Sequence, residues 1–193
     1  MSTSSLGYSF SNQSEITLEE EVNDLQNLFP NANDQFFTRL FELYPRSEFN
    51  STFWQRQTLF GDFIINCPTQ WISDAVGLLG KQSFKLIFNA GSRRHGATKP
   101  FVFDPAYGSS LADNVTVSQI MKDWYVSFAL HQDPNKESFS GRIPLNPPWP
   151  PYGSSAALRS VVEVNVADIG VGADPDMNVR CSFWQSVSDI TRN

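Results

Sequence analysis

The sequence predicts a mainly helical protein with few strands. Apolar residues recur at three- and four-residue spacing in several segments, a period typical of amphipathic helices. Two segments have the composition of strands, which is too few to close a barrel or a sandwich. With 193 residues, 40% hydrophobic and 13% aromatic, the chain is long and apolar enough to bury a sizeable core.

The first 16 residues are polar and predict a loop, after which the helices begin. Thr17 and Glu20 predict a capping box, because the hydroxyl and the carboxylate can each accept from an otherwise unpaired backbone amide. Apolar residues then follow at helical spacing until Pro30 ends the first helix. Further helices are predicted over residues 34–44, 54–65, 69–79, 116–130 with Thr116 as its cap, and 181 to about 189.

The strand predictions rest on two short runs. Phe84–Phe88 is apolar and aromatic throughout, and Ser160–Ala167 alternates between apolar and polar residues. Residues 131–155 are rich in proline, glycine and asparagine and predict a loop. Within it, Pro147–Tyr152 has the composition of a polyproline ligand as well as that of an ordered turn.

Charge excludes several classes of partner. The net charge of −6 and the pI near 4.8 argue against binding to nucleic acid or to an anionic membrane surface. No window contains the roughly 18 to 20 apolar residues of a membrane helix, and the first residues show no signal peptide. Three sequons, at Asn12, Asn50 and Asn114, would suit a secreted protein, but such triplets also arise by chance, so the compartment stays open.

Two further patterns have simple structural interpretations. For Cys67 and Cys181, a buried free thiol is the simpler interpretation from the residues alone. The spacing of Asp174, Asp176 and Asn178 matches the start of a calcium-binding loop. Val179 replaces the glycine that such a loop requires, so a solvated turn is favoured.

His95 is the strongest candidate for a catalytic residue. It stands on a polar loop after the first predicted strand and is followed by Gly96 and by an aromatic run that ends at Phe103. Enzymes of the α/β class place general bases on such loops, and histidine titrates near neutral pH. His131, at the end of a predicted helix, is explained by a solvated last turn.

An ordered set of motifs gives His95 a context. His95-Gly96 and the Phe101–Phe103 run precede a helix that ends in Asp133-Pro-Asn, then Trp149-Pro-Pro-Tyr, then Arg180-Cys-Ser-Phe-Trp. This order resembles the C-terminal part of type-B carboxylesterases, the esterase, lipase and cholinesterase group of the α/β-hydrolase superfamily, with features similar to fungal members. The resemblance covers about residues 17–184. It implies the C-terminal portion of an α/β-hydrolase fold, mainly helices with the last few strands of an incomplete sheet, and a single incomplete domain over residues 17–193.

The resemblance also implies a chemistry. In these enzymes the matching histidine is the general base of a Ser-His-acid triad, which needs no cofactor or metal. The chain contains no Gly-x-Ser-x-Gly elbow, and Leu6 stands at the best match for the acidic position. We therefore expect the His-bearing portion of a carboxylic-ester hydrolase that is inactive alone, with a small ester as substrate of the complete enzyme. The alternatives are a non-catalytic binding or assembly protein and a truncated gene product.

Two structural expectations follow from the same resemblance. Cys67 and Cys181 match a disulfide pair of the family, and a bond across their 114-residue separation would stabilise the fold by about 4 to 5 kcal/mol in the chain-entropy model. A truncated parallel sheet would leave an unpaired edge, through which the chain would associate with a partner.

Overall fold

The computed structural model describes residues 17–91, 96–104, 112–141, 146–153 and 159–192. The predicted loop over residues 1–16 lies outside these ranges. None of the described helices is both long and apolar enough to cross a membrane. The helices are α1 (Leu18–Leu28), α2 (Asp34–Leu43), α3 (Thr52–Gly61), α4 (Cys67–Leu78), α5 (Lys99–Phe103), α6 (Ala112–His131), α7 (Val179–Ser186) and α8 (Ser188–Thr191), and the strands are β1 (Leu86–Phe88), β2 (Ser160–Val164) and β3 (Ile169–Ala173).

The capping box predicted for the first helix is confirmed. The Thr17 hydroxyl oxygen accepts from the Glu20 amide at 3.1 Å, and the Thr17 amide donates to the Glu20 carboxylate at 2.7 Å. Helix α2 starts in the same way, because the Asn33 side chain accepts from the Phe36 amide at 3.0 Å. Both helices therefore begin where side chains satisfy backbone amides that have no partner inside the helix.

The third and fourth predicted helices join into one helical run. A π-helical stretch over Asp62–Asn66 connects α3 to α4, so the predicted break between residues 65 and 69 is wrong. Helix α4 starts at Cys67 with Pro68 in its first turn, and because proline has no amide to donate, it interrupts the backbone hydrogen bonds of the run at this junction. A single insertion of i→i+5 bonding keeps the chain helical across the junction.

The sheet has the order β1-β2-β3. Strands β1 and β2 are parallel, with Ile87 opposite Glu163, and β2 and β3 are antiparallel. Both predicted strands are confirmed in a shorter form, whereas β3 was not predicted. Strand β1 ends the sheet on one side, and its residues Leu86–Phe88 are all buried.

Most of the buried apolar residues in the described part of the chain fall into two hydrophobic cores, and a small third cluster contains Ile87, Tyr152 and Val161. The sheet core joins β1 and β2 to α5, α6 and Trp149. The helical core joins α1 and α2 to the α3–α4 run and α7, and contains both cysteines. Arg159, just before β2, connects the two regions through a bidentate pair with Asp74 of α4, at 2.7 and 3.1 Å.

A buried ion-pair network fixes the start of β1. The Lys85 ammonium, fully buried, donates to both carboxylate oxygens of Asp174 at 2.7 Å and to Asp176 at 2.6 Å. Tyr152 donates its hydroxyl to Asp174 at 2.7 Å. The prediction of a solvated turn at residues 174–178 is therefore wrong for its two aspartates. Both carboxylates are buried because they pair with Lys85, which is distant in sequence.

Candidate functional site

The site that the sequence singles out follows the carboxyl-terminal end of β1. The Asn89 amide donates to the Val164 carbonyl at 2.8 Å and so extends the pairing with β2 by one residue. Ala90 is fully buried, and Gly91 turns the chain with φ of +66°, a conformation that glycine adopts without a Cβ clash. His95 follows within residues 92–95, which lie outside the described residues.

On the other side of segment 92–95, the chain is anchored at Gly96 and α5. Gly96 has φ of +80°, and its carbonyl accepts from the Lys99 amide at 2.9 Å as α5 begins. Phe101 of α5 is buried with its ring 5.2 Å from that of Phe88, and its carbonyl accepts from the Ser118 hydroxyl at 2.8 Å. Both ends of segment 92–95 are therefore tied to the sheet core.

A carboxylate lies beside the same end of β1. Glu163 of β2 accepts from the Asn89 side-chain amide at 2.6 Å and from Asn165 at 3.4 Å, and its side chain is exposed. No sequence motif had indicated a role for Asn89 or Glu163. The alternation along β2 could have indicated that Glu163 lies on the face of Val161, opposite Val162 and Val164.

The position has a general chemical meaning. In α/β proteins, ligand-binding and catalytic groups sit on loops at the carboxyl-terminal ends of parallel strands, where several strands direct side chains to one edge. The described residues supply the strand and both loop anchors there. Leu6, which stands at the acidic position that the resemblance predicts, lies outside the described residues.

The two cysteines form a disulfide. The bond joins Cys67, the first residue of α4, to Cys181 of α7, and both residues are buried in the helical core. It agrees with the pairing implied by the resemblance, and the interpretation of the two residues as free thiols is wrong. Trp184, one turn after Cys181, is fully buried and donates its indole N–H to the Tyr44 hydroxyl at 2.8 Å.

The remaining sequence candidates divide by position. His131 is the exposed last residue of α6, with Nε2 2.8 Å from the Glu137 carboxylate, which confirms the prediction of a solvated last turn. Asn50 is exposed just before α3, and Asn114 lies in the first turn of α6, where its side chain is outside the described residues; Asn12 is outside them altogether.

The proline-rich segment is an ordered part of the fold. Trp149 is buried in the sheet core and donates its indole N–H to the Lys85 carbonyl at 3.1 Å. Tyr152 is buried as well and takes part in the Lys85 network. Because both aromatic residues are held in the interior, the ordered turn is correct and the polyproline ligand is not.

Comparison with known proteins gives a match in fold and none in sequence. No protein-family model matches the chain, and no curated protein matches it. The crystal structure of Aspergillus niger EstA, an esterase with the α/β-hydrolase fold, matches with a TM-score of 0.78 at 17% identity. The match covers 98% of this chain and 39% of that chain. The chain therefore has a hydrolase-like α/β fold and spans about two fifths of the length of that neighbour.

Proposed function

We propose that this chain is the His-bearing C-terminal portion of a type-B carboxylesterase and is inactive alone. The observation that carries the proposal is the fold likeness to EstA over 98% of the chain, with 39% of EstA covered. Residues 17–193 would form one incomplete domain, and residues 1–16 a leading loop.

The chemistry assigned to this portion is the movement of one proton. In the complete enzyme a serine outside this chain would attack the ester carbonyl, while His95 takes its proton and then returns it to the leaving alcohol. Water would hydrolyse the acyl-enzyme by the same route. The anchors of segment 92–95, Asn89 on one side and α5 on the other, support this role, because a general base has to be held within hydrogen-bond reach of the nucleophile.

The test is made first on the native protein. Protein captured from its source with an antibody to residues 17–91 is measured for intact mass, after removal of glycans, and for labelling by a fluorophosphonate probe. The proposal expects a mass well above 21.7 kDa together with labelling, and no labelling of the recombinant 193-residue chain. Labelling of the short chain would contradict its assigned inactivity, and a large native protein that resists labelling would contradict the esterase assignment.

A pair of histidine variants of the longer native product then isolates the residue. His95→Gln should lower kcat for a small ester about 10⁴-fold or more, because the base of the triad is lost. His131→Gln is the matched control, since His131 is exposed at the end of α6, and it should leave kcat unchanged. Equal effects of the two variants would contradict the role of His95.

The second candidate is a non-catalytic binding or assembly protein. Two observations favour it. The sequence lacks a Gly-x-Ser-x-Gly elbow. In addition, apolar side chains at the end of α4 are strongly exposed, since Leu78 is 79% and Leu79 is 77% exposed. This candidate predicts a native mass near 21.7 kDa and self-association or partner binding in sedimentation experiments. The contact would involve this surface or the edge of β1.

A further inference from the structure

The interface between α1 and α3 contains a buried acid without a hydrogen bond. Glu21 of α1 is 0% exposed, and neither of its carboxyl oxygens has a hydrogen-bond partner in the described part of the chain. An ionised carboxylate in that position would lose its hydration and gain no donors in return, whereas the neutral acid pays a much smaller cost.

The neighbouring cations do not satisfy Glu21. Arg56 of α3 donates instead to Asp24, one helical turn further along α1, at 2.7 Å, and its guanidinium also lies 5.4 Å from the centre of the Phe60 ring. Arg46, in the 3₁₀ turn after α2, is the other cation that acts on Glu21. Burial raises the pKa of Glu21 to about 7, although the charges of Arg56 and Arg46 oppose the rise.

We propose that Glu21 makes α1 a pH-gated helix, which is held against α3 in mildly acidic medium and released as the medium becomes alkaline. Release hydrates the carboxylate, so in the released form Glu21 ionises at the ordinary pKa of a glutamate. In the docked form it ionises only at higher pH. Docking of α1 is therefore strongest at a pH below the ordinary pKa of glutamate, and it weakens progressively as the pH rises from that pKa to the pKa of the docked form.

Release would change the surface of the protein. The same helix carries Leu25, which is fully buried, and Phe29 follows at its end with its ring 5.0 Å from Phe63 and 5.8 Å from Trp184. Both apolar side chains would leave the helical core with α1. The short acidic helix would thus convert a change of pH into the exposure of an apolar surface.

The experiment is hydrogen exchange of the full chain at pH 5.5 and pH 8, read on the peptide that covers residues 18–29 and corrected for the intrinsic exchange rate. Given an ordinary pKa of 4.5 and a docked pKa of about 7, the protection of α1 should fall about 30-fold between these conditions. Glu21→Gln, which is neutral at both pH values, should abolish the fall. Glu19→Gln, at an exposed position of the same helix, should retain it.

Two results would overturn the proposal. One is wild-type protection of α1 that changes less than about threefold between the two pH values; the other is a Glu21→Gln variant with the same fall as the Glu19→Gln control. If Glu21→Gln does not fold, the carboxyl carbon of Glu21 is titrated by NMR in the wild-type chain. A midpoint at the ordinary value of a glutamate would then refute the gate.

Discussion

Replacement of Lys85 by methionine tests the buried ion-pair network most directly. Methionine keeps an unbranched apolar chain of similar length but removes the charge that faces Asp174 and Asp176. The lysine side chain is fully buried and makes hydrogen bonds of 2.7, 2.7 and 2.6 Å to these two carboxylates. The variant therefore leaves two like charges in the interior without their cation.

The size of the effect follows from this geometry. At a separation of roughly 3 Å and an effective dielectric constant of about 20, each ion pair attracts by about 5 to 6 kcal/mol. Desolvation of the three ions offsets much of this attraction, and removal of one partner from a buried pair typically costs about 3 to 5 kcal/mol. We expect Lys85→Met to lower the free energy of unfolding by that amount.

The assay is urea denaturation followed by circular dichroism, with linear extrapolation to water. Lys81→Met, at an exposed lysine just before β1, is the matched control and should change stability by less than about 0.5 kcal/mol. Adding Asp176→Asn to Lys85→Met should recover part of the loss, because it removes one of the two repelling charges. A Lys85→Met variant as stable as the control would refute the reasoning.

Two further perturbations have defined outcomes. Replacing Cys67 and Cys181 by serine, or reducing the bond between them, should lower the free energy of unfolding by about 4 to 5 kcal/mol; an unchanged urea midpoint under reducing conditions would contradict this. Asp123→Asn should cost about 1.5 to 3 kcal/mol, because the carboxylate accepts from Ser138 at 2.6 Å and from Asn146 at 3.0 Å. Burial raises the pKa of Asp123, but these hydrogen bonds outweigh it and hold the pKa below its ordinary value. The stability advantage of the wild-type chain over the variant should therefore disappear when the carboxylate protonates in acid. An advantage that persists in acid would show that its origin is not the charge.

Sequence patterns predicted correctly those helix boundaries that depend on residues close together in sequence. The capping box of Thr17 and Glu20 placed the start of α1, because both partners lie within one helical turn. Thr116 looked equally suitable as a cap, yet α6 begins four residues earlier, at Ala112. Strand β3 escaped prediction because Gly170 and Gly172 dilute its apolar pattern, and its pairing with β2 supplies what its composition lacks.

The ion-pair network and the candidate site both depend on contacts that no local pattern contains. Asp174 looks like part of a surface turn until Lys85, 89 residues away in sequence, is placed beside it. Asn89 and Glu163 are likewise 74 residues apart and meet only because β1 and β2 are parallel neighbours. The role of His95 comes from the order of motifs along the chain and stays a prediction.

The disulfide turns the segment from Cys67 to Cys181 into a covalent ring. Strands β1, β2 and β3 and the segment that carries His95 all lie within this ring, whereas α1, α2 and α3 form a tail outside it. A protease cut inside the ring would open it without separating the two pieces, and the nicked chain would migrate as one molecule until it is reduced. A cut between α1 and α2, near Pro30, would leave α1 held by non-covalent contacts alone. In an oxidising medium the sheet is therefore protected against loss by cleavage, and the gated helix is not.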